Sequence, residues 1–355
     1  MLVLESWLGD RVSYVIVGGR HSSQRVLKNS IFQGTVLGPP LWNGFFGDAK
    51  RATSILDFFE VVFADDFNCA KEFSPATTIE DVMENLKRCQ ESLHSWGRAN
   101  SVSFDAKKES LHVLHRRQGC GGNFKQLGVT FDARLSMEDG IGEIANEAGW
   151  RLRAILRPQR FFKLSELMRL YKSQVLSYLE SATPAIFHAA PSHLFLLDRI
   201  QRRFIRAVSL DECEALEEFR LAPLTARRHM AMLGLLHRIV LGIAPAQLAD
   251  LFPLAIPPNS SRTPTRLWLI RHDKQLCERR HHTDVFGRSL FGMARVYNFL
   301  PQTIANSLTV KMFQRSLQNG LRRAAKANID NWQNMFSPIS SPLRPSEFQQ
   351  ILDNV

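Results

Sequence analysis

The stretch Glu60-Val61-Val62-Phe63-Ala64-Asp65-Asp66-Phe67-Asn68-Cys69-Ala70 sets two short apolar runs on either side of two adjacent aspartates. Short β-branched and aromatic runs broken by turn formers predict strands at 60–64 and 67–70, joined as a hairpin with Asp65 and Asp66 at its tip. Two neighbouring carboxylates repel each other and resist desolvation, and a divalent cation relieves both problems. Two-metal phosphoryl transfer uses such carboxylates to hold Mg²⁺ against substrate phosphates. A plain hairpin turn is the alternative reading, because a lone Asp-Asp pair is a weak motif.

Upstream, Arg11–Val17 is rich in β-branched residues and ends at Gly18-Gly19, a strand followed by a turn. In Gln33-Gly34-Thr35-Val36-Leu37-Gly38-Pro39-Pro40-Leu41-Trp42-Asn43, Gly34 and Gly38 allow backbone conformations or approaches that a Cβ would block. Pro39 and Pro40 can start a helix that Leu41, Trp42 and Phe45 continue, with a ligand-free loop-to-helix junction as the bland alternative. Downstream, Thr77 and Thr78 open a helix to Asn100, with Val82, Leu86, Cys89, Leu93 and Trp96 at helical spacing. Leu111–Leu114 and Leu127–Phe131 read as two further strands around a Gly119–Gly122 turn, and Phe124–Asp132 is a strand-turn signal.

From Ser136 the pattern becomes helical. Ser136 and Asp139 resemble a capping box opening a helix to Arg157, and helices over 165–180, 192–208 and 225–241 follow, punctuated by prolines. Arg199, Arg202, Arg203 and Arg206 fall at i, i+3, i+4 and i+7, so four guanidinium groups share one helix face. Leu197, Ile200, Phe204 and Val208 occupy the other. Such a stripe suits a phosphate backbone followed without sequence reading; a solvated charged face is the alternative. Residues 253–264 read as a linker, and the rest as a basic segment with weaker periodicity, partly disordered.

Charge is uneven. Residues 1–150 carry 16 Lys+Arg against 19 Asp+Glu, whereas residues 151–355 carry 29 against 15, within a formal net charge of +11. A basic half of this kind suits a polyanionic partner. The five cysteines are scattered without a Cys-x-x-Cys, which speaks against a disulfide framework and for a reducing compartment. No apolar run approaches a spanning length and Met1–Glu5 carries no secretory signal, so the expectation is an intracellular protein, nuclear or cytoplasmic, with no membrane partner. His272, Cys277, His281 and His282 are zinc-ligand types at a spacing that fits no standard site, and read as surface residues of a basic tail.

Taken in order, these segments resemble the reverse transcriptases of non-LTR (LINE-like, jockey-type) retrotransposons, over residues 1–250. Motif B of that family reads roughly Gly-x-Pro-Gln-Gly-Ser-x-Leu-Gly-Pro-x-Leu-(Phe/Trp)-Asn, and residues 30–43 match it at most positions. The departures are Ser30 for Gly, Phe32 for Pro and Thr35 for Ser. Motif C, an aromatic-Ala-Asp-Asp box, is matched by Phe63–Asp66. Trp96, Asn100 and Asp105-Ala-Lys-Lys108 match the region leading to motif D, with Glu109 where Thr is common. Phe124, Leu127 and Gly128 match the Phe-x-x-Leu-Gly core of motif E. Leu170–Val175 and Asp198–Arg203 resemble the thumb.

The resemblance implies an α+β fold: a partial polymerase palm, an antiparallel sheet with flanking helices, over 1–132. An all-helical thumb over 133–250 and a basic C-terminal region over 251–355 would follow. It implies RNA-directed DNA polymerase chemistry, with RNA template, DNA primer, deoxynucleoside triphosphates and Mg²⁺ (or Mn²⁺). Asp65 would be the metal ligand, with Asp66 supporting the site and the primer end. Gln33 and Gly34 would lie along the incoming nucleotide and template base. Lys108 would sit near the triphosphate, and Phe124, Leu127 and Gly128 would shape the primer grip. Arg199, Arg202, Arg203 and Arg206 would hold nucleic acid. Motif A, whose aspartate precedes motif B in the family, has no counterpart after Met1. The expectation is therefore a chain that begins downstream of that aspartate and of the fingers, inactive alone or retaining only nucleic-acid binding.

Overall fold

A computed structural model describes residues 4–5, 7, 9, 11–27, 34–115, 119–255, 272–279, 283–341 and 343–353. The chain divides into two compact units, residues 1–113 and 114–355. It mixes helices with small two-stranded antiparallel sheets.

In the first unit, β1 (Arg11–Ser13) pairs with β4 (Arg25–Leu27) and β2 (Ile16–Val17) with β3 (Arg20–His21). Gly18 and Gly19 turn between β2 and β3 with φ of +56° and +77°, conformations open to glycine at little cost. Helix α1 (Gly38–Phe46) begins with Pro39 and Pro40 in its first turn, where a missing N–H costs nothing. A single 3₁₀ turn leads to α2 (Lys50–Ser54). The hairpin of β5 (Phe59–Phe63) and β6 (Asp66–Ala70) follows in the expected register, with Phe63 opposite Asp66. Helix α3 (Ile79–Ala99) starts at Thr78, whose hydroxyl accepts the Asp81 N–H at 3.1 Å, with Glu80 and Asp81 favourably placed in the first turn. Residues 111–114 do not form a strand.

The core of this unit is aromatic. Trp42 stacks on Phe46 at 4.9 Å between ring centres. Phe46 meets Phe67 of β6 edge-on at 5.9 Å and Trp96 of α3 at 5.7 Å. One ring of α1 thus joins the hairpin to α3, in the geometry that aromatic quadrupoles favour.

The second unit opens with a hairpin, β7 (Phe124–Gln126) and β8 (Val129–Phe131), turned at Leu127-Gly128 rather than at Gly119–Gly122. Helix α4 (Glu138–Leu156) follows, but Ser136 is not its cap. Met137 precedes it in a left-handed conformation, and the Asp132 carboxylate accepts from the backbone N–H groups of Arg134, Ser136 and Met137. Burial works against that carboxylate's charge, yet these bonds together hold it below the usual carboxylate range.

Helix α5 (Leu164–Leu170) runs through a π-helical stretch (Tyr171–Leu176) into α6 (Ser177–Ser181). Helix α7 (Pro191–Ala207) packs lengthwise on α4, and fully buried Tyr171 stacks on Phe204 at 4.0 Å between the two halves of this bundle. Helix α8 (Glu212–Phe219), absent from the sequence reading, is capped by Asp211. Buried α9 (Leu224–Val240) lines both this bundle and a second core.

The described part of 251–355 packs into this second core, and most of the expected linker, residues 256–264, lies outside the described residues. Helices α10 (Leu290–Asn298), α11 (Val310–Lys326) and α12 (Pro345–Asp353) share one core with α9, burying Tyr297, Phe313, Leu317, Leu321, Phe348 and Leu352. In α11 the apolar residues do recur at helical spacing, but a surrounding excess of basic and polar residues hides them in a composition-based reading.

His237 of α9 is buried there, 2.9 Å from the Ser307 carbonyl through Nε2 and 2.9 Å from the Tyr297 hydroxyl through Nδ1. The carbonyl can only accept, so Nε2 carries the proton and Nδ1 accepts from Tyr297, leaving the ring neutral. Burial holds its pKa below the ordinary 6.5. The unfolded chain therefore takes the proton first. The stabilisation is complete above about pH 6.5 and drains away as pH falls below it. His229, whose pKa burial pushes down to about 3, adds to the same loss. Thermal unfolding is therefore expected to shift down by a few degrees between about pH 7.5 and pH 5, and His237→Gln should reduce that shift without abolishing it in differential scanning fluorimetry.

Candidate nucleotide and nucleic-acid sites

The β5–β6 hairpin carries Asp65 in a two-residue turn and Asp66 at the first position of β6. Ala64 adopts a left-handed φ of +54°, an uncommon conformation for a residue with a Cβ. Both carboxylates are exposed, so the flanking strands do not bury them as their apolar sequence suggested. Strand alternation puts Phe67 and Cys69 toward the inner layer, where Phe67 meets Phe46 and the Cys69 sulfur lies 3.8 Å from that of Cys89. Asp66 faces the opposite way, level with Phe63, and Phe59, Val61 and Phe63 on that face are exposed.

What holds the tip is a bond that the sequence did not reveal. The indole N–H of Trp42 donates to the carbonyl of Ala64 at 2.8 Å. It ties α1, the helix that continues the Gly34–Asn43 segment, to the residue immediately before Asp65. Gly34 stands before that helix with φ +83°, which supports the reading of this glycine as a conformational requirement. Gln33, Ser30 and Phe32 lie outside the described residues.

Lys108 is exposed in a turn closed by its own N–H to the Asp105 carbonyl at 2.8 Å. Its neighbour Glu109 is engaged by Gln90 at 2.5 Å and His94 at 2.9 Å. Burial opposes the charge on Glu109, but these bonds keep its carboxyl below the usual range.

A pair of aspartates is a partial donor set. Among the described residues no three His, Cys, Asp or Glu side chains come together as a metal site. The nearby acids have other partners: Asp48 pairs with Arg51 at 3.2 Å, and Glu60 with Lys50 at 2.6 Å. The residues present do not by themselves fit a two-metal centre, which needs carboxylates converging from separate strands. His272, expected at the surface, is buried, with Nε2 3.1 Å from the Tyr297 carbonyl oxygen; His281 and His282 lie outside the described residues.

In the second unit, Leu127 and Gly128 form the exposed hairpin tip, and half-buried Phe124 stacks on Phe131 at 5.4 Å. The hairpin is fixed to α4 by the Thr130 hydroxyl, which donates to Glu143 at 2.7 Å, and by a close approach at Gly140. A Cβ there would sit 2.2 Å from the Thr130 carbonyl oxygen. Gly140→Ala is therefore expected to cost about 2–3 kcal/mol through backbone displacement, read as a lowered midpoint in urea denaturation.

The arginine stripe lies on α7 as expected, with Arg199, Arg203 and Arg206 exposed and no acidic partner among the described residues. Arg202 departs from it. Its Nε lies 3.4 Å from Glu212, the first residue of α8, and its guanidinium sits 5.0 Å over Phe195. The pairing went unseen because Glu212 belongs to a helix the sequence reading lacked. Other thumb-like residues work inside the bundle. Lys172 donates to the Phe219 carbonyl, buried Gln201 to the Ala222 carbonyl at 2.9 Å, and Asp198 pairs with buried Arg228 at 2.8 Å. Among the described residues, no helix is long and apolar enough to cross a membrane.

Known proteins similar to this sequence include RNA-directed DNA polymerases of mobile elements. One is the RNA-directed DNA polymerase from mobile element jockey of Drosophila melanogaster, 24% identical over 229 residues, covering 59% of this chain and 25% of that protein. Its counterpart from Drosophila funebris is 23% identical over 229 residues, with the same coverage. The chain thus spans about a quarter of the length of these relatives, and what it resembles is a piece of a jockey-type reverse transcriptase. No family model and no solved structure matches it.

Proposed function

We propose that this chain is the palm-and-thumb portion of an RNA-directed DNA polymerase of a jockey-type element, holding an RNA template, a DNA primer and an incoming deoxynucleoside triphosphate. The observation that carries the reading is the hydrogen bond from Trp42 to Ala64. It joins the segment resembling motif B to the hairpin tip resembling motif C, as a nucleotide site built from both requires. In this reading residues 1–132 are palm and 133–250 thumb.

Asp65 is then the metal-facing carboxylate and Asp66 supports the primer end. Gln33 and Gly34 line the nucleotide and template base, Lys108 approaches the triphosphate, and Phe124, Leu127 and Gly128 grip the primer. Mg²⁺ or Mn²⁺, held through Asp65 with Asp66, would supply charge neutralisation of the phosphates. With no third donor among the described residues, the work left to this chain is the positioning of nucleotide and nucleic acid. The same shortfall supports the second reading, in which the chain alone binds nucleic acid without catalysis.

The test is equilibrium binding of a fluorescein-labelled RNA–DNA primer–template by the 355-residue chain. Binding that is indifferent to sequence and weakens steeply with salt is expected. No binding at low salt would sink both readings.

A further inference from the structure

Helix α4 buries one face through Ile141, Ile144, Ala148, Leu152 and Ile155. On the other face Trp150, Arg153 and Arg157 recur at i, i+3 and i+7, and all three are exposed. Just past the C-terminus of α4 comes Arg160-Phe161-Phe162-Lys163. Trp150 is 62% exposed and Phe161 72%, and the Arg160 guanidinium lies 4.7 Å over the Phe161 ring.

No acidic residue interrupts this stretch between Glu147 and Glu166. Arg151 is taken up by Glu147 at 2.7 Å and by the Tyr178 ring, whereas Arg153, Arg157 and Arg160 have no acidic partner among the described residues. Arginines near a helix C-terminus complement the helix dipole, which accounts for Arg153 and Arg157. It does not account for two large aromatic rings left in solvent, Trp150 on a helix whose core is already filled and Phe161 in the turn just past it.

We infer that this ridge is a docking surface for single-stranded nucleic acid, with unpaired bases stacked on Trp150 and Phe161 and phosphates met by Arg153, Arg157 and Arg160. The inference rests on the reading of the chain as a nucleic-acid-binding polymerase portion, and adds a second surface to the α7 stripe. Charge complementarity selects a polyanion, and exposed rings at either end of a run of guanidinium groups select one whose bases are free to stack. A duplex keeps its bases stacked on each other and offers only backbone to such a ridge. Unpaired DNA and unpaired RNA present the same chemistry here.

The experiment uses the full 355-residue chain with labelled 20-mers of one sequence: single-stranded DNA, single-stranded RNA and duplex DNA, each over a range of salt. Trp150→Ala/Phe161→Ala is expected to weaken single-strand binding roughly tenfold. Duplex binding and the salt slope should stay as they are, and Trp150→Phe should recover most of its share. Both positions are exposed, so the variant's melting temperature should match wild type. Unchanged single-strand affinity, or equal loss on single strand and duplex, overturns the inference.

The variant Arg199→Gln/Arg203→Gln/Arg206→Gln, measured alongside, separates the two surfaces. If it loses binding while the aromatic variant does not, the α7 reading stands and the ridge fails. The opposite pattern leaves the ridge standing. Wild-type chain that binds none of the three probes overturns both.

Discussion

Purified by itself, the 355-residue chain is expected to leave a primer annealed to an RNA template unextended, with Mg²⁺ and with Mn²⁺ alike. Each Mg²⁺ of a two-metal centre is held by few protein ligands and keeps strict octahedral demands, so the carboxylates must converge from more than one strand. Here both come from adjacent positions of one hairpin tip, exposed on its turn and first strand residue. Among the described residues no neighbouring acid is placed to join them. Asp48 is tied to Arg51, Glu60 on β5 is tied to Lys50, and Asp57, at the end of the α2 turn, lies 4.0 Å from Lys71.

Fusing this chain into the Drosophila melanogaster jockey RNA-directed DNA polymerase, in place of the residues it matches there, is expected to give extension activity. Asp65→Asn in that fusion should then lower it at least about a hundredfold, as removal of a principal charge contact to the transition state does. Trp42→Phe, which keeps the ring and removes the donor to Ala64, should reduce activity far less but alter nucleotide KM. Robust extension by the 355-residue chain alone, abolished by Asp65→Asn, would overturn this account. It would mean that another carboxylate completes the site.

The parts of the fold legible in the sequence were those fixed by local chemistry. The Asp65-Asp66 hairpin, α1 with its leading prolines, α3 with its Thr78 cap and the long helices of the bundle all announce themselves by spacing and turn residues. Pairing across sequence distance was not legible. Nothing local says that the Trp42 indole will reach Ala64, that Asp132 and not Ser136 will organise the start of α4, or that Glu212 will take Arg202. Nor does local pattern show that Phe313, Leu317 and Leu321 have a partner helix to bury against. The family-like residues divide for the same reason. Tyr171, Gln201 and Asp198, in the stretches that resemble a thumb, are engaged inside the bundle, whereas Arg199, Arg203 and Arg206 stand exposed on α7.

That division sets the second large effect. Replacing Arg199, Arg203 and Arg206 together by Gln is expected to weaken nucleic-acid binding by about two orders of magnitude at low salt. It should also reduce the slope of log affinity against log salt by about 2–3, since each phosphate contact contributes roughly 0.7–0.9 to it. Because phosphate contacts carry no sequence information, the loss should be uniform across sequences. Arg202→Gln should behave differently. Its guanidinium is shared between Glu212 and the Phe195 ring, so it contributes little to the salt slope. Its loss should cost at most about 1 kcal/mol of stability, the worth of a partly exposed ion pair. Fluorescence anisotropy titrations at several salt concentrations, paired with urea denaturation of each variant, read both quantities. A triple variant with the wild-type slope would make the stripe a solvated face. An Arg202→Gln variant that flattens the slope as much as its neighbours would mean that nucleic acid displaces Glu212 and recruits the fourth guanidinium on binding.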